Sequence, residues 1–203
     1  MIAIVDYGVG NLFSLRCSLE NIGADCIVTA DKQKITDADK IILPGVGAFG
    51  KAAEALRTTG LDELLRREAQ KGKPLLGICL GMQLLFERSC EYGDHQGLGL
   101  IPGSIEGLGE ALAGEALKIP HMGWNDLTFA RQHPILCHNR QGDFVYYVHS
   151  FYAPVSHYTV AWSQYGSAQV TGIAAKDNVA GTQFHPEKSG DVGLAMLKAF
   201  TEM

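Results

Sequence analysis

Short apolar runs alternate with stretches of helical period along the first half of the chain: IAIVDY over 2–7, NLFSLRCSLENIG over 11–23, DCIVTA over 25–30 and KIILP over 40–44. Near-continuous apolar strands separated by amphipathic helices predict βαβ units and a parallel sheet. Asn11 can cap the first helix, Leu12, Leu15, Leu19 and Ile22 give it an apolar stripe, and Gly23 can end it. The next helical stretch, AAEALRTTGLDELLRREAQKGK, carries a break at Gly60 and stops before PLLGIC over 74–79. That fourth strand ends at a cysteine and passes into the helical run MQLLFER.

Past about residue 100 the texture changes to β-rich pieces (SIEGL, ALKIP, FVYYVHSFY, YTVAW, AQVTGIAA, VAGTQF), closed by a helix near 190–201. The pattern predicts one doubly wound α/β domain over 1–203, with a mostly parallel sheet, helices on both faces and an antiparallel β extension. No repeat, low-complexity tract or linker supports a boundary.

Composition narrows the function classes. Hydrophobic residues make up 46% and charged ones 19% of 203 residues, a globular balance too apolar for disorder. The net charge is -5 and no basic cluster is denser than Arg66-Arg67, so nucleic acid is not an expected partner. No apolar run is long enough to span a membrane, and the first residues lack the charged region of a secretory signal, so a cytosolic location is expected. Five cysteines form an odd set without a C-x-x-C pair, which fits neither a disulfide framework nor a zinc site.

Gly77-Ile78-Cys79-Leu80-Gly81 has the form G-x-nucleophile-x-G on a strand-to-helix turn. Glycines two before and two after the nucleophile suit a crowded, strained backbone, and a helix starting at Leu80 aims N–H groups at the sulfur, favouring thiolate. A buried strand-end cysteine is the bland alternative. Such a nucleophile needs a base, and of seven histidines His185 stands out, in Gln183-Phe184-His185-Pro186-Glu187-Lys188 after the run VAGTQF. An extended backbone through 185–187 would let Glu187 fix the imidazole's tautomer and orientation.

Pro44-Gly45-Val46-Gly47-Ala48-Phe49-Gly50 contains G-x-G-x-x-G, a dinucleotide fingerprint and a rival reading, but it follows the third strand and no acid ends the next one. Its alternative use is to offer a backbone N–H at Val46 to an oxyanion, with the Leu80 N–H as second donor. His121, His133, His138 and His157 have no carboxylate or cysteine at metal spacing and read as surface or satisfied residues, so no metal or other cofactor is expected. The aromatic cluster from Phe144 to Tyr152 reads as sheet core and edge.

GICLGMQLLFE, PGVGAFG and QFHPEKS together resemble the class I glutamine amidotransferase family, and IPHMGWN narrows the resemblance to its branch of glutaminase subunits of imidazole glycerol phosphate synthase. The resemblance covers nearly the whole chain. It implies hydrolysis of L-glutamine to glutamate and ammonia, a (βα)8 barrel cyclase subunit as partner in a heterodimer, and a role in histidine biosynthesis that also releases a purine intermediate. Carried over, the triad falls on Cys79, His185 and Glu187, and the oxyanion hole on Val46, Gly47 and Leu80. Glutamine contacts fall on Gly47, Gln83, Glu91, Ser150 and Phe151, where the family more often has Tyr in place of Phe151. His121, Met122, Gly123, Trp124, Asn125 and Lys188 resemble positions facing the synthase. The glutaminase subunit of another amidotransferase is the enzymatic alternative.

Overall fold

The computed structural model describes residues 1–203. Its first half runs β1 (Ile2–Val5), α1 (Leu12–Asn21), β2 (Cys26–Thr29), α2 (Lys32–Asp37), β3 (Lys40–Gly45), α3 (Phe49–Thr59), α4 (Leu61–Gln70), β4 (Leu75–Cys79) and α5 (Leu80–Leu85). Asn11 Oδ1 accepts from Ser14 N–H to cap α1, and Gly60 in the left-handed region separates α3 from α4. Helix α2 gives no periodic signal in the sequence; it is six residues long, too short to show a helical period, and is started by Asp31, which accepts from the Gln33 and Lys34 N–H groups.

The second half runs β5 (Phe86–Ser89), β6 (His95–Gln96), β7 (Ile101–Gly107), α6 (Leu108–Ala111), β8 (His121–Asp126), β9 (Thr128–Phe129), β10 (Phe144–His149), β11 (Phe151–Tyr152), β12 (Thr159–Tyr165), β13 (Ala168–Lys176), β14 (Val179–Thr182) and α7 (Gly190–Glu202). Two expectations fail here. The helical run at MQLLFER stops at Leu85, because Phe86 turns extended and β5 pairs in parallel with β7. ALKIP forms no strand.

Eight strands form the main sheet in the order β2-β1-β3-β4-β14-β13-β12-β9. The first five are parallel, and β13, β12 and β9 continue the sheet in antiparallel pairings. A β10-β8 ribbon and a β11-β7-β5-β6 sheet lie beyond it. Both faces of the main sheet are covered, which explains why its strands read as unbroken apolar runs. Ile2 and Ile4 of β1 pack with Leu15 and Leu19 of α1 and with Met196, Leu197 and Phe200 of α7. Ala3 and Val5, pointing the other way, pack with Phe49, Leu56, Leu61 and Leu64.

Strands β3, β4 and β14 are neighbours, so their carboxyl ends open side by side at Gly45, Cys79 and Thr182. In an open α/β sheet this edge is where ligands bind.

Candidate active site

Cys79 sits where β4 turns into α5, with φ 54°, a backbone conformation rare for a residue with a side chain. Crowding explains the flanking glycines. A Cβ on Gly81 would lie 1.8 Å from the Leu43 carbonyl oxygen, and one on Gly77 would lie 2.6 Å from the Gly81 oxygen. The chain therefore turns sharply against β3 and leaves the cysteine at the sheet edge. Helix α5 spans only Leu80–Leu85, so the helix that follows the sulfur is under two turns long.

His185 follows β14 through Gln183 and Phe184, and its Nδ1 lies 2.8 Å from Glu187 Oε1. Pro186–Lys188 is a 3-10 turn, not the extended segment expected, and the turn rather than a strand face brings the carboxylate onto the imidazole. Both side chains are buried. Burial disfavours a charged imidazole, but the Cys79 sulfur and the Glu187 carboxylate outweigh it and push the His185 pKa up to about 9. Glu187 Oε2 has no hydrogen-bond partner, so the carboxylate engages only the imidazole.

A cavity of about 330 Å³ is lined by Val46, Gly47, Cys79, Leu80, Gln83, Glu91, Ser150, Phe151 and His185. Glu187 stands behind His185, outside the lining. A larger surface depression shares Glu91 and Tyr92 with it but holds no nucleophile. At the mouth, Gly47 has φ +92°, which leaves the Val46–Gly47 turn in a conformation open to glycine. Neither Val46 nor Gly47 donates its N–H within the chain. Tyr7, which the sequence did not single out, buttresses this loop: its hydroxyl donates to the Pro44 carbonyl at 2.8 Å, and a Cβ on Gly45 would strike it.

Two expected glutamine contacts also have structural duties. Glu91 Oε2 accepts from the Phe49 N–H at 2.7 Å and so caps α3. Gln83 Nε2 donates to the Phe151 carbonyl at 2.9 Å and to Gln183 Oε1 at 3.0 Å. The Glu91 carboxylate on the first turn of α3 puts negative charge where a pyrophosphate would have to sit, which disfavours the dinucleotide reading of Gly45–Gly50.

A family model described as glutamine amidotransferase class-I matches residues 3–202. The chain belongs to the class-I glutamine amidotransferase family. Two relatives are both called imidazole glycerol phosphate synthase subunit HisH. The one from Bacillus cereus is 53% identical, over 98% of this chain and 93% of its own length. The one from Oceanobacillus iheyensis is 49% identical, over 100% of this chain and 99% of its own. Among solved structures, a glutamine amidotransferase superposes with TM-score 0.74 at 17% identity, covering 99% of this chain and 100% of that one. PurLQS from Thermotoga maritima gives 0.74 at 21% identity, covering 99% and 97%. At those identities the structures share the fold.

In this amidotransferase the residues expected to face a partner divide by strand alternation. On β8, Met122 and Trp124 are 61% and 56% exposed, whereas His121 is 3% exposed. His121 therefore points inward, away from the face that carries Met122 and Trp124; its ring stacks between Tyr147 and Tyr165. Gly123 and Asn125 are half-buried and Lys188 is exposed. Phe144, expected in sheet core or edge, is exposed beside them on β10, opposite Asp126, and Trp124 meets Tyr146 edge-on at 6.0 Å. Among the other histidines, His138 is exposed and satisfied by Glu202, and the fold adds what sequence spacing did not show: Cys137, His138 and Glu202 offer exposed ligand atoms within 4.8 Å of one another. No helix is long and apolar enough to cross a membrane.

Proposed function

We propose that the chain, acting as one domain over 1–203, is the glutaminase subunit of an imidazole glycerol phosphate synthase: it hydrolyses L-glutamine and delivers ammonia to a (βα)8 barrel cyclase subunit in histidine biosynthesis. The observation that carries this reading is that His185, held at 2.8 Å by Glu187, lines the same glutamine-sized cavity as Cys79, whose sulfur helps to raise the imidazole's pKa. The HisH relatives support the choice of synthase.

Cys79, having given its proton to His185, attacks the side-chain amide carbon of glutamine, and the carbonyl oxygen becomes an oxyanion facing the Val46, Gly47 and Leu80 N–H groups. His185 passes its proton to the amide nitrogen as the C–N bond breaks and ammonia leaves, forming a glutamyl thioester. Water then adds to the thioester while His185 takes its proton, and collapse releases glutamate and restores the thiol. Glu187 keeps the imidazole oriented and stabilises its charge. Gln83, Glu91 and the Ser150–Phe151 backbone hold the amino-acid end.

Met122 and Trp124 form the core of the partner face, with Lys188 beside it. Because the Val46 peptide sits on a glycine-flanked turn, we place partner and ligand control there: a displaced oxyanion donor costs about 10² to 10³ in rate. The cyclase, ammonia transfer and the cytoplasm form one setting in this reading. Cys79→Ala is expected to abolish glutaminase activity while leaving the circular dichroism spectrum and partner binding intact; residual turnover near wild type refutes the assignment. Glutaminase assays with and without cyclase and its nucleotide ligand test the control, and equal rates would contradict it.

A further inference from the structure

Three buried side chains that no step above uses, Gln183, His149 and His121, join Cys79 to β8 through hydrogen bonds. The Phe151 carbonyl is their common node. It accepts from Gln83 Nε2 at 2.9 Å and from His149 Nδ1 at 3.0 Å. A carbonyl oxygen can only accept, so it sets the direction of every bond on either side.

On the inner side, Gln83 must turn its amide nitrogen to Phe151, and that same nitrogen donates to Gln183 Oε1 at 3.0 Å. Gln183 therefore turns its Nε2 the other way, and Nε2 lies 3.8 Å from the Cys79 sulfur. The amide group facing the nucleophile is a donor. An isolated glutamine could flip and present its oxygen; this one is locked by the acceptor at the far end of the chain.

On the outer side, His149 carries its proton on Nδ1, which leaves Nε2 to accept from His121 Nδ1 at 2.9 Å. His121 Nε2 in turn faces the Asn125 amide nitrogen at 3.4 Å. Asn125 is oriented independently: its Oδ1 accepts from the Asp126 N–H at 3.0 Å and its Nδ2 donates to the Gln164 carbonyl at 2.9 Å. The two ends agree, and both imidazoles must be neutral, since an added proton would set N–H against N–H. Burial acts in the same direction, depressing the His121 pKa to about 4 and that of His149, with help from His121, to about 3.

We propose that Gln183 is a positioning residue for the nucleophile, its amide N–H stabilising the negative sulfur. The Phe151 carbonyl, held from the β8 side by His149 and His121, keeps that amide in the donating orientation. The proposal rests on Cys79 being the nucleophile. It also links the strand that carries Met122 and Trp124 to the sulfur by named bonds.

The test is the pH dependence of iodoacetamide alkylation at Cys79 in the full chain, read by mass spectrometry of its peptide so that exposed Cys17, Cys90 and Cys137 do not contribute. Gln183→Met removes the donor and Gln183→Glu replaces it with an acceptor. Both are expected to raise the midpoint, by about one pH unit for the methionine variant and further for the glutamate variant. An unmoved midpoint in a folded Gln183→Met protein overturns the proposal. Should neither variant fold, the wild-type protein decides: the Gln183 side-chain amide resonances are expected to shift with pH at the same midpoint as Cys79 alkylation, and an amide that does not follow that midpoint overturns it equally. Glutaminase activity is measured on the same alkylated samples together with the cyclase. Retained activity would sink the reading of Cys79 itself, whereas lost activity with unmoved midpoints sinks the role of Gln183 alone.

Discussion

Glu187 makes one hydrogen bond, to His185, and together with the Cys79 sulfur it favours the charged form of that imidazole. The sign follows from the raised His185 pKa of about 9, above the ordinary 6.5. The ion-pair contribution to stability is complete below 6.5 and is lost as pH rises through about 9. Glu187→Gln removes the carboxylate, so the alkaline limb of the glutaminase pH profile is expected to move to lower pH and kcat to fall by about 10² or more. A profile superimposable on wild type would show that the carboxylate has no such role. The pairing of histidine and glutamate was visible in H-P-E, but the sequence reading made it through an extended backbone. The 3-10 turn at Pro186–Lys188 makes the same contact by another route, so the spacing was informative and the conformation was not.

Two glycines show how differently the elements depend on a missing side chain. Gly60 lies between α3 and α4 at φ 65°, and the nearest atom to an added Cβ is the flexible end of Lys32. Gly60→Ala is expected to cost about 1–2 kcal/mol, from the left-handed backbone alone. At Gly81 the obstacle is the β3 backbone itself, with the Leu43 oxygen 1.8 Å from the added carbon. Gly81→Ala is expected to lower the thermal midpoint far more, or to prevent folding, because β3 and α5 cannot both stay in place; equal midpoints for the two variants would contradict this account. Both breaks were legible as glycines in the sequence. Helix α2 and strand β5 were not: the first is too short for periodicity, and the second exists because β7 offers a ladder to residues that would otherwise continue a helix.

At the scale of the whole molecule, the exposed apolar side chains of Met122, Trp124 and Phe144 on the β8-β10 ribbon form a surface that water solvates poorly. Trp124→Ala is expected to weaken binding to the cyclase by about 30-fold or more, the loss typical of a central aromatic anchor, with no change in the chain's own melting temperature. Calorimetric titration reads it, and unaltered affinity would remove Trp124 from the interface. The amino-acid sequence by itself determined the alternating strands and helices, the buried parallel sheet, the cysteine turn and the nearby chemistry of His185 and Glu187. These depend on period, glycine placement and short spacings, which are local. Only the tertiary structure decided that His121 turns inward from a strand whose neighbours face outward, that Glu91 caps α3, and that the Phe151 carbonyl orients an amide toward the sulfur. Those outcomes join residues tens of positions apart, and burial and hydrogen-bond direction become fixed only once the strands are side by side.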